Sequence, residues 1–172
     1  DGRVYVHAGL SPQGFLDDLH AFDPTQGAWE DLTMTAKGER PPAMHLHGFA
    51  AAGARIFVFG GAKDYSRNDL SRDLFVLDII NMTWSKLTPE DPSVPWPNAR
   101  CDMVFASDGN GRIYLVGGGF NFDIFVLDVR TEPAAWTDLT ASLGVQMSPR
   151  AGPAYAWSGA CLFILGGYSG AG

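Results

Sequence analysis

Two imidazoles stand one residue apart in His45-Leu46-His47. In an extended strand, side chains two residues apart share a side, so such a pair could hold a metal. No third ligand lies near it in the chain. Asp108-Gly109-Asn110-Gly111 resembles a calcium loop but lacks the downstream glutamate such a loop needs, and reads as a hairpin turn. The two cysteines, Cys101 and Cys161, sit in no recognisable oxidase motif, and buried cysteine mostly behaves as a small hydrophobe. No nucleophile motif, phosphate loop or paired-carboxylate signature appears. The expectation is a chain that is not an enzyme and takes neither metal nor cofactor. What remains is the chemistry of contact. Residues 62–72 carry Lys63, Asp64, Tyr65, Arg67, Asn68 and Arg72, a mixture rich in types favoured at protein interfaces. Trp96 and Asn98 stand in the stiff Pro95-Trp96-Pro97-Asn98, and Phe120 and Asn121 in the aromatic Phe120-Asn121-Phe122. These ten residues form the candidate partner-binding set.

The elements that must position them come from an internal repeat. Short apolar runs ending in small residues recur as Val4-Tyr5-Val6-His7-Ala8-Gly9, Ile56-Phe57-Val58-Phe59-Gly60-Gly61, Ile113-Tyr114-Leu115-Val116-Gly117-Gly118 and Leu162-Phe163-Ile164-Leu165-Gly166-Gly167. Paired aspartates bracket a second run at Asp18 and Asp23, Asp73 and Asp78, Asp123 and Asp128. Trp29, Trp84 and Trp136 follow, at a period of about 50 residues, in the range of propeller repeats. Each unit holds four candidate strands, a to d. Strand a follows Met44, Arg100 or Arg150, b ends at the glycines, c lies between the aspartates, and d opens at the tryptophan. Runs such as IFVF lack the alternation of a half-wet sheet and suit strands buried on both faces. The indole at the start of d is the expected neighbour of the space that the glycines leave. No segment keeps a helical period, so the chain is read as all-β.

These residues resemble the kelch repeat: the double glycine, the aspartate closing strand c (as in Asp23-Pro24-Thr25), the tryptophan after it, and proline then arginine before strand a in Pro97-Asn98-Ala99-Arg100 and Pro149-Arg150. Two departures are Ala8-Gly9 in place of the first double glycine and Met44 where arginine is usual. His47 matches a position often held by histidine in kelch strands. The resemblance implies a kelch-type β-propeller, and the strand count implies about three four-stranded blades of a six- or seven-bladed ring. The expected division is a partial blade at 1–33, blades at 44–88 and 100–140, and a partial blade at 150–172. Open ends of such an arc would expose apolar blade faces. Alternating strand directions put the b–c and d–a connections on one face, and these are the long ones: 62–72, 33–43, 88–99 and 140–149. Loops on a rigid scaffold usually carry recognition. The resemblance therefore implies a non-catalytic protein-interaction module or scaffold with protein partners. The alternatives are a catalytic propeller (copper oxidase or sugar-directed) with its site elsewhere in the ring, and an architectural subunit of a large assembly.

Composition narrows the partners. Twelve Lys and Arg against nineteen Asp and Glu leave a net charge of −7, which repels phosphate backbones, so nucleic acid is not an expected partner. No run of 18 apolar residues occurs, and no membrane insertion is expected. Two cysteines cannot build a disulfide framework, which favours a reducing, cytoplasmic setting. The one counter-signal is the glycosylation triplet Asn81-Met82-Thr83.

Overall fold

The computed structural model of the 172-residue chain describes residues 2–89, 93–142, 144 and 147–169. Residues 90–92 of the 88–99 connection, 143, 145 and 146 of the 140–149 connection, and the ends of the two partial blades at 1 and 170–172 lie outside the described residues.

Fourteen strands and one short 3₁₀ turn (Thr140–Ser142) make up the described architecture, with no α-helix. The first sheet runs β1 (Val4–Ser11), β2 (Gly14–Asp23) and β3 (Ala28–Asp31); the second holds β5 (Gly48–Ala52), β6 (Arg55–Phe59), β7 (Leu74–Asp78) and β8 (Thr83–Leu87). The third runs β9 (Val104–Ser107), β10 (Arg112–Val116), β11 (Ile124–Asp128) and β12 (Ala135–Asp138), and the last pairs β13 (Ala154–Ser158) with β14 (Cys161–Leu165). Neighbouring strands in each of these runs are antiparallel. This is the expected all-β arrangement of small antiparallel sheets set side by side. Strand β9 packs against both β5 and β13, so the first strands of these three units lie together on the inner side of the arc.

Three details depart from expectation. A two-residue strand, β4 (Lys37–Gly38), adds to the outer edge of the second sheet, parallel to β8. Gly38 takes φ 90 there, and a Cβ would run into the carbonyl of Trp84. The first b strand does not stop at Ala8-Gly9. It bulges between His7 and Gly9 and continues into a tight hairpin closed by Ser11 and Gly14. Finally, the segments after Met44, Arg100 and Arg150 run three residues outside the sheet before strand a begins.

Apolar clusters fill the joints between sheets. Leu19 and Ala21 of the first sheet meet Ile56, Val58, Leu77 and Trp84 of the second; Phe57, Phe59 and Leu74 meet Phe105, Leu115, Phe125 and Trp136 of the third. Each repeat residue has a task in these joints. Trp84 and Trp136 are buried wedges, their rings 5.4 Å from His7 and 5.4 Å from Phe59 of the preceding sheet. Trp29, in the first sheet, is exposed, as are Val4 and Val6 there and Phe163 and Leu165 in the last.

The aspartates that close strand c cap the turn that follows. Asp23 accepts the Thr25 N–H at 2.8 Å, Asp78 the Ile80 N–H at 2.8 Å, and Asp128 the Arg130 N–H at 3.0 Å. Hydrogen bonds from the Thr25 hydroxyl, the Asn81 N–H and the Arg130 guanidinium respectively hold these carboxyls below the usual range.

The glycine pairs make room for backbone, that of the next unit at Gly60 and that of the same unit at Gly118, and not for an indole. A Cβ on Gly60 would sit 2.5 Å from the Arg100 carbonyl, and one on Gly118 would sit 2.8 Å from that of Cys101. The Gly61 N–H donates to that Arg100 carbonyl at 2.9 Å, as Gly9 donates to Met44. Gly60 also takes φ 69. Gly60→Ala is expected to cost about 2 kcal/mol from the left-handed backbone and the clash together; a urea midpoint equal to wild type would refute this account of the pair.

Candidate functional site

A second set of backbone bonds ties the inner ends of successive units and sets the floor of the loop face. The Asp102 N–H donates to the Leu46 carbonyl at 3.0 Å, and Gly152 donates to Asp102 at 2.9 Å. All three residues hold the same repeat position and the same left-handed backbone, with φ 57, 59 and 59. The turn at Leu46 overturns one expectation: the backbone at 45–47 is not extended, so His45 and His47 do not share a strand side. His45 packs on Phe15 with ring centres 5.0 Å apart, whereas His47 faces His7, with His7 Nδ1 3.4 Å from His47 Nε2. Among the described residues, no three metal-ligating side chains converge.

The loop 62–72 is organised from inside. Lys63 N–H donates to the Asp69 carbonyl at 3.0 Å, and the Asp64 carboxylate accepts from the N–H of Asp69 and Asn68 and from the Ser66 hydroxyl. The Ser66 hydroxyl is the largest cause holding Asp64 below the ordinary carboxylate range. Asn68 donates to Ser66 at 3.0 Å, and Lys63 Nζ stands 3.9 Å from Asp69. Asp64 and Asn68 thus build the loop, and Tyr65 and Arg67 are what it presents. Tyr65 is 68% exposed, with its ring 4.6 Å from that of Phe15 on the first hairpin. Arg67, at φ 59, donates through Nη1 to Asp102 at 2.7 Å.

Beside this ion pair a groove of about 380 Å³ opens between Arg67, Leu70, the 99–102 backbone, Phe120, Ala151 and Tyr168. Phe120 is 77% and Tyr168 68% exposed. Asn121 folds back, its amide donating to the Gly118 carbonyl at 2.9 Å, and shapes the loop that carries Phe120. Cys101 is buried in the groove wall; burial, then the Asp102 charge, pushes its thiol up to about 11, so it stays protonated and is no nucleophile at neutral pH.

Behind the groove lies Arg100, the arginine before strand a. It is fully buried and donates to both oxygens of Asp123, to the Gly117 carbonyl at 2.9 Å and to the Asn98 carbonyl at 3.0 Å. The remaining candidates lie elsewhere. Trp96 donates to the Arg72 carbonyl at 2.9 Å and sets its ring edge-on to Trp136, 6.4 Å away. With Arg72 it lines a different groove, beside Leu87 and Val94 near the outer strand. Asn98 is exposed and contributes its carbonyl to Arg100. So Arg67, Phe120 and Asn121 come together, Tyr65 flanks them, and Arg72, Trp96 and Asn98 do not join. Reading by residue type passed over Asp102 and Tyr168. Aligning Arg100-Cys101-Asp102 with Arg150-Ala151-Gly152 exposes the first, as an acid on a glycine position.

Among the described residues, no helix is long and apolar enough to cross a membrane. The model of the KLHDC2/KLHL20/DRC7 Kelch-repeats domain matches residues 1–167. Human host cell factor 1 is 29% identical over 164 residues, covering 86% of this chain and 8% of that protein. Human host cell factor 2 is 34% identical over 117 residues (67% and 14%), and mouse Kelch domain-containing protein 10 is 28% identical over 164 residues (90% and 35%). The chain therefore spans between 8% and 35% of the length of these relatives. With the double glycines, capped turns and tryptophan wedges in place, the chain belongs to the kelch-repeat family.

Proposed function

We propose that the chain is a non-catalytic protein-interaction module that meets its partner with the face bearing the b–c and d–a connections. The observation that carries this reading is the concentration of exposed aromatics there. Tyr65, Phe120 and Tyr168 project from the b–c sides of three successive sheets, and Phe120 and Tyr168 line a groove with the 99–102 backbone. The chemistry of the groove supports binding and not catalysis, since its one thiol is protonated and its guanidiniums are tied to carboxylates. Kelch relatives of this kind fit such a role. The two unpaired cysteines suit the reducing cytoplasm expected above.

A photo-crosslinker placed at position 65 or 120 of the full-length protein is expected to capture protein partners. One placed at Asn110, on the opposite face, should not. Tyr65→Ala combined with Arg67→Ala is expected to lower recovery of the captured partner about ten-fold. Unchanged recovery would move the interface off this face.

A further inference from the structure

The groove can be assigned an occupant, on the premise that the loop face is the binding face. The inter-unit bonds impose φ near 60 at the same position in every repeat, whichever of Leu46, Asp102 or Gly152 stands there. The backbone therefore does not explain the aspartate, and its side chain must be read from what it touches. Its close partner is Arg67, 35 residues earlier, which also holds a left-handed backbone that arginine rarely adopts. An ion pair on a half-exposed arginine adds little to stability. What the pair does is fix one guanidinium at the mouth of the groove. Only Nη1 is engaged, and the other nitrogens take no acceptor among the described residues.

Charge then limits what can enter. The groove wall holds one guanidinium, Arg67, a second, Arg100, is buried behind it, and each is matched by a carboxylate, Asp102 and Asp123. No unbalanced charge is left to attract an acidic or basic group. Apart from Asn121, whose amide is turned onto the Gly118 carbonyl, the rest of the lining is alanine, Cys101, glycine backbone, Leu70, Phe120 and Tyr168. A volume of about 380 Å³ lies at the small end of ligand pockets, room for a side chain or two and not for a large cofactor.

We propose that the groove takes an uncharged, bulky apolar side chain from an extended segment of a partner protein, seated between Phe120 and Tyr168, while Arg67, positioned by Asp102, donates to a backbone carbonyl of that segment.

The probe is a library of random linear peptides selected against the full-length protein. Selected peptides are expected to share an uncharged bulky residue, and to lose affinity about ten-fold or more on Phe120→Ala. Asp102→Gly restores the residue type found at position 152 and keeps both backbone bonds. It should leave thermal stability unchanged and still weaken binding about three- to five-fold by freeing Arg67. Affinity should change less than about two-fold between roughly 50 and 300 mM NaCl. The proposal is overturned by failure of the library to enrich any peptide, by peptides converging on acidic residues or a terminal carboxylate with steep salt dependence, or by indifference to Phe120→Ala. If such peptides still depend on Tyr65 and Arg67, the face stands and only the occupant falls. If they do not, the face falls as well.

Discussion

Asp123→Ala is expected to destabilise the protein by about 3–5 kcal/mol, the cost of leaving a buried charge without its partner. The Arg100 side chain has no exposed surface, and two of its hydrogen bonds end on Asp123. Carbonyls of Gly117 and Asn98 remain in the variant, but they carry no charge to offset a desolvated guanidinium. The preceding repeat shows the alternative. There Met44 fills the arginine position at 1% exposure within an apolar cluster, and Asp73 turns instead to Lys86 at 3.0 Å. Arg100→Met combined with Asp123→Asn is therefore expected to lose less than about 2 kcal/mol, because it removes the cation along with the anion. Urea unfolding of both variants checks this. If the single variant stays within about 1 kcal/mol of wild type, the arginine is not held as described.

Acid is expected to loosen the joint between the first two sheets well before carboxylates titrate. His7 and His47 face each other across that joint, beneath Phe49 and Trp84. Burial is the first cause lowering His7 to about 3 and His47 to about 4; the second is the His47 imidazole for His7 and the His45 imidazole for His47. Both lie below the value of about 6.5 expected in the unfolded chain. Between these limits the unfolded state takes up protons that the folded state refuses, so the stabilisation is complete above pH 6.5 and is lost as pH falls. Each histidine contributes a slope of about 1.4 kcal/mol per pH unit, and the pair together about 4 kcal/mol by pH 5. Asp23, Asp78 and Asp128 are held below the carboxylate range, so their loss begins only near pH 4, in a separate window. The measurement is denaturant stability from pH 7 to 4.5 for wild type and for His7→Phe with His47→Phe. The double variant should flatten the curve, and an unchanged slope would place the acid sensitivity elsewhere.

Much of the architecture was legible because it is written more than once. Repeated aspartates mark capped turns, and repeated tryptophans mark joints, so each could be read by comparing units. Features that occur once were hidden. Ala8-Gly9 looks like a strand end, and nothing local distinguishes the bulge that carries β1 onward to Ser11. A pairing as short as Lys37 and Gly38 leaves no periodic signal. The glycines were correctly tied to close approach but given the wrong neighbour, since the atom that excludes a Cβ on Gly60 belongs to Arg100, 40 residues on. The face was legible from connection lengths, and Tyr65, Arg67 and Phe120 from their types. The groove was not, because its walls come from five separate stretches of chain that only the folded arc brings together. Asp64 and Asn68 show the opposite limit: polar residues in an exposed loop look available until their hydrogen bonds are traced inward.

The extended first hairpin has a consequence for symmetry. An arc of like wedges is close to invariant under rotation by one unit, and a visitor to such a surface has several nearly equivalent ways to land. One finger standing proud of its siblings removes that degeneracy. With Phe15 against Tyr65, β1 and β2 would give the proposed binding face such a landmark.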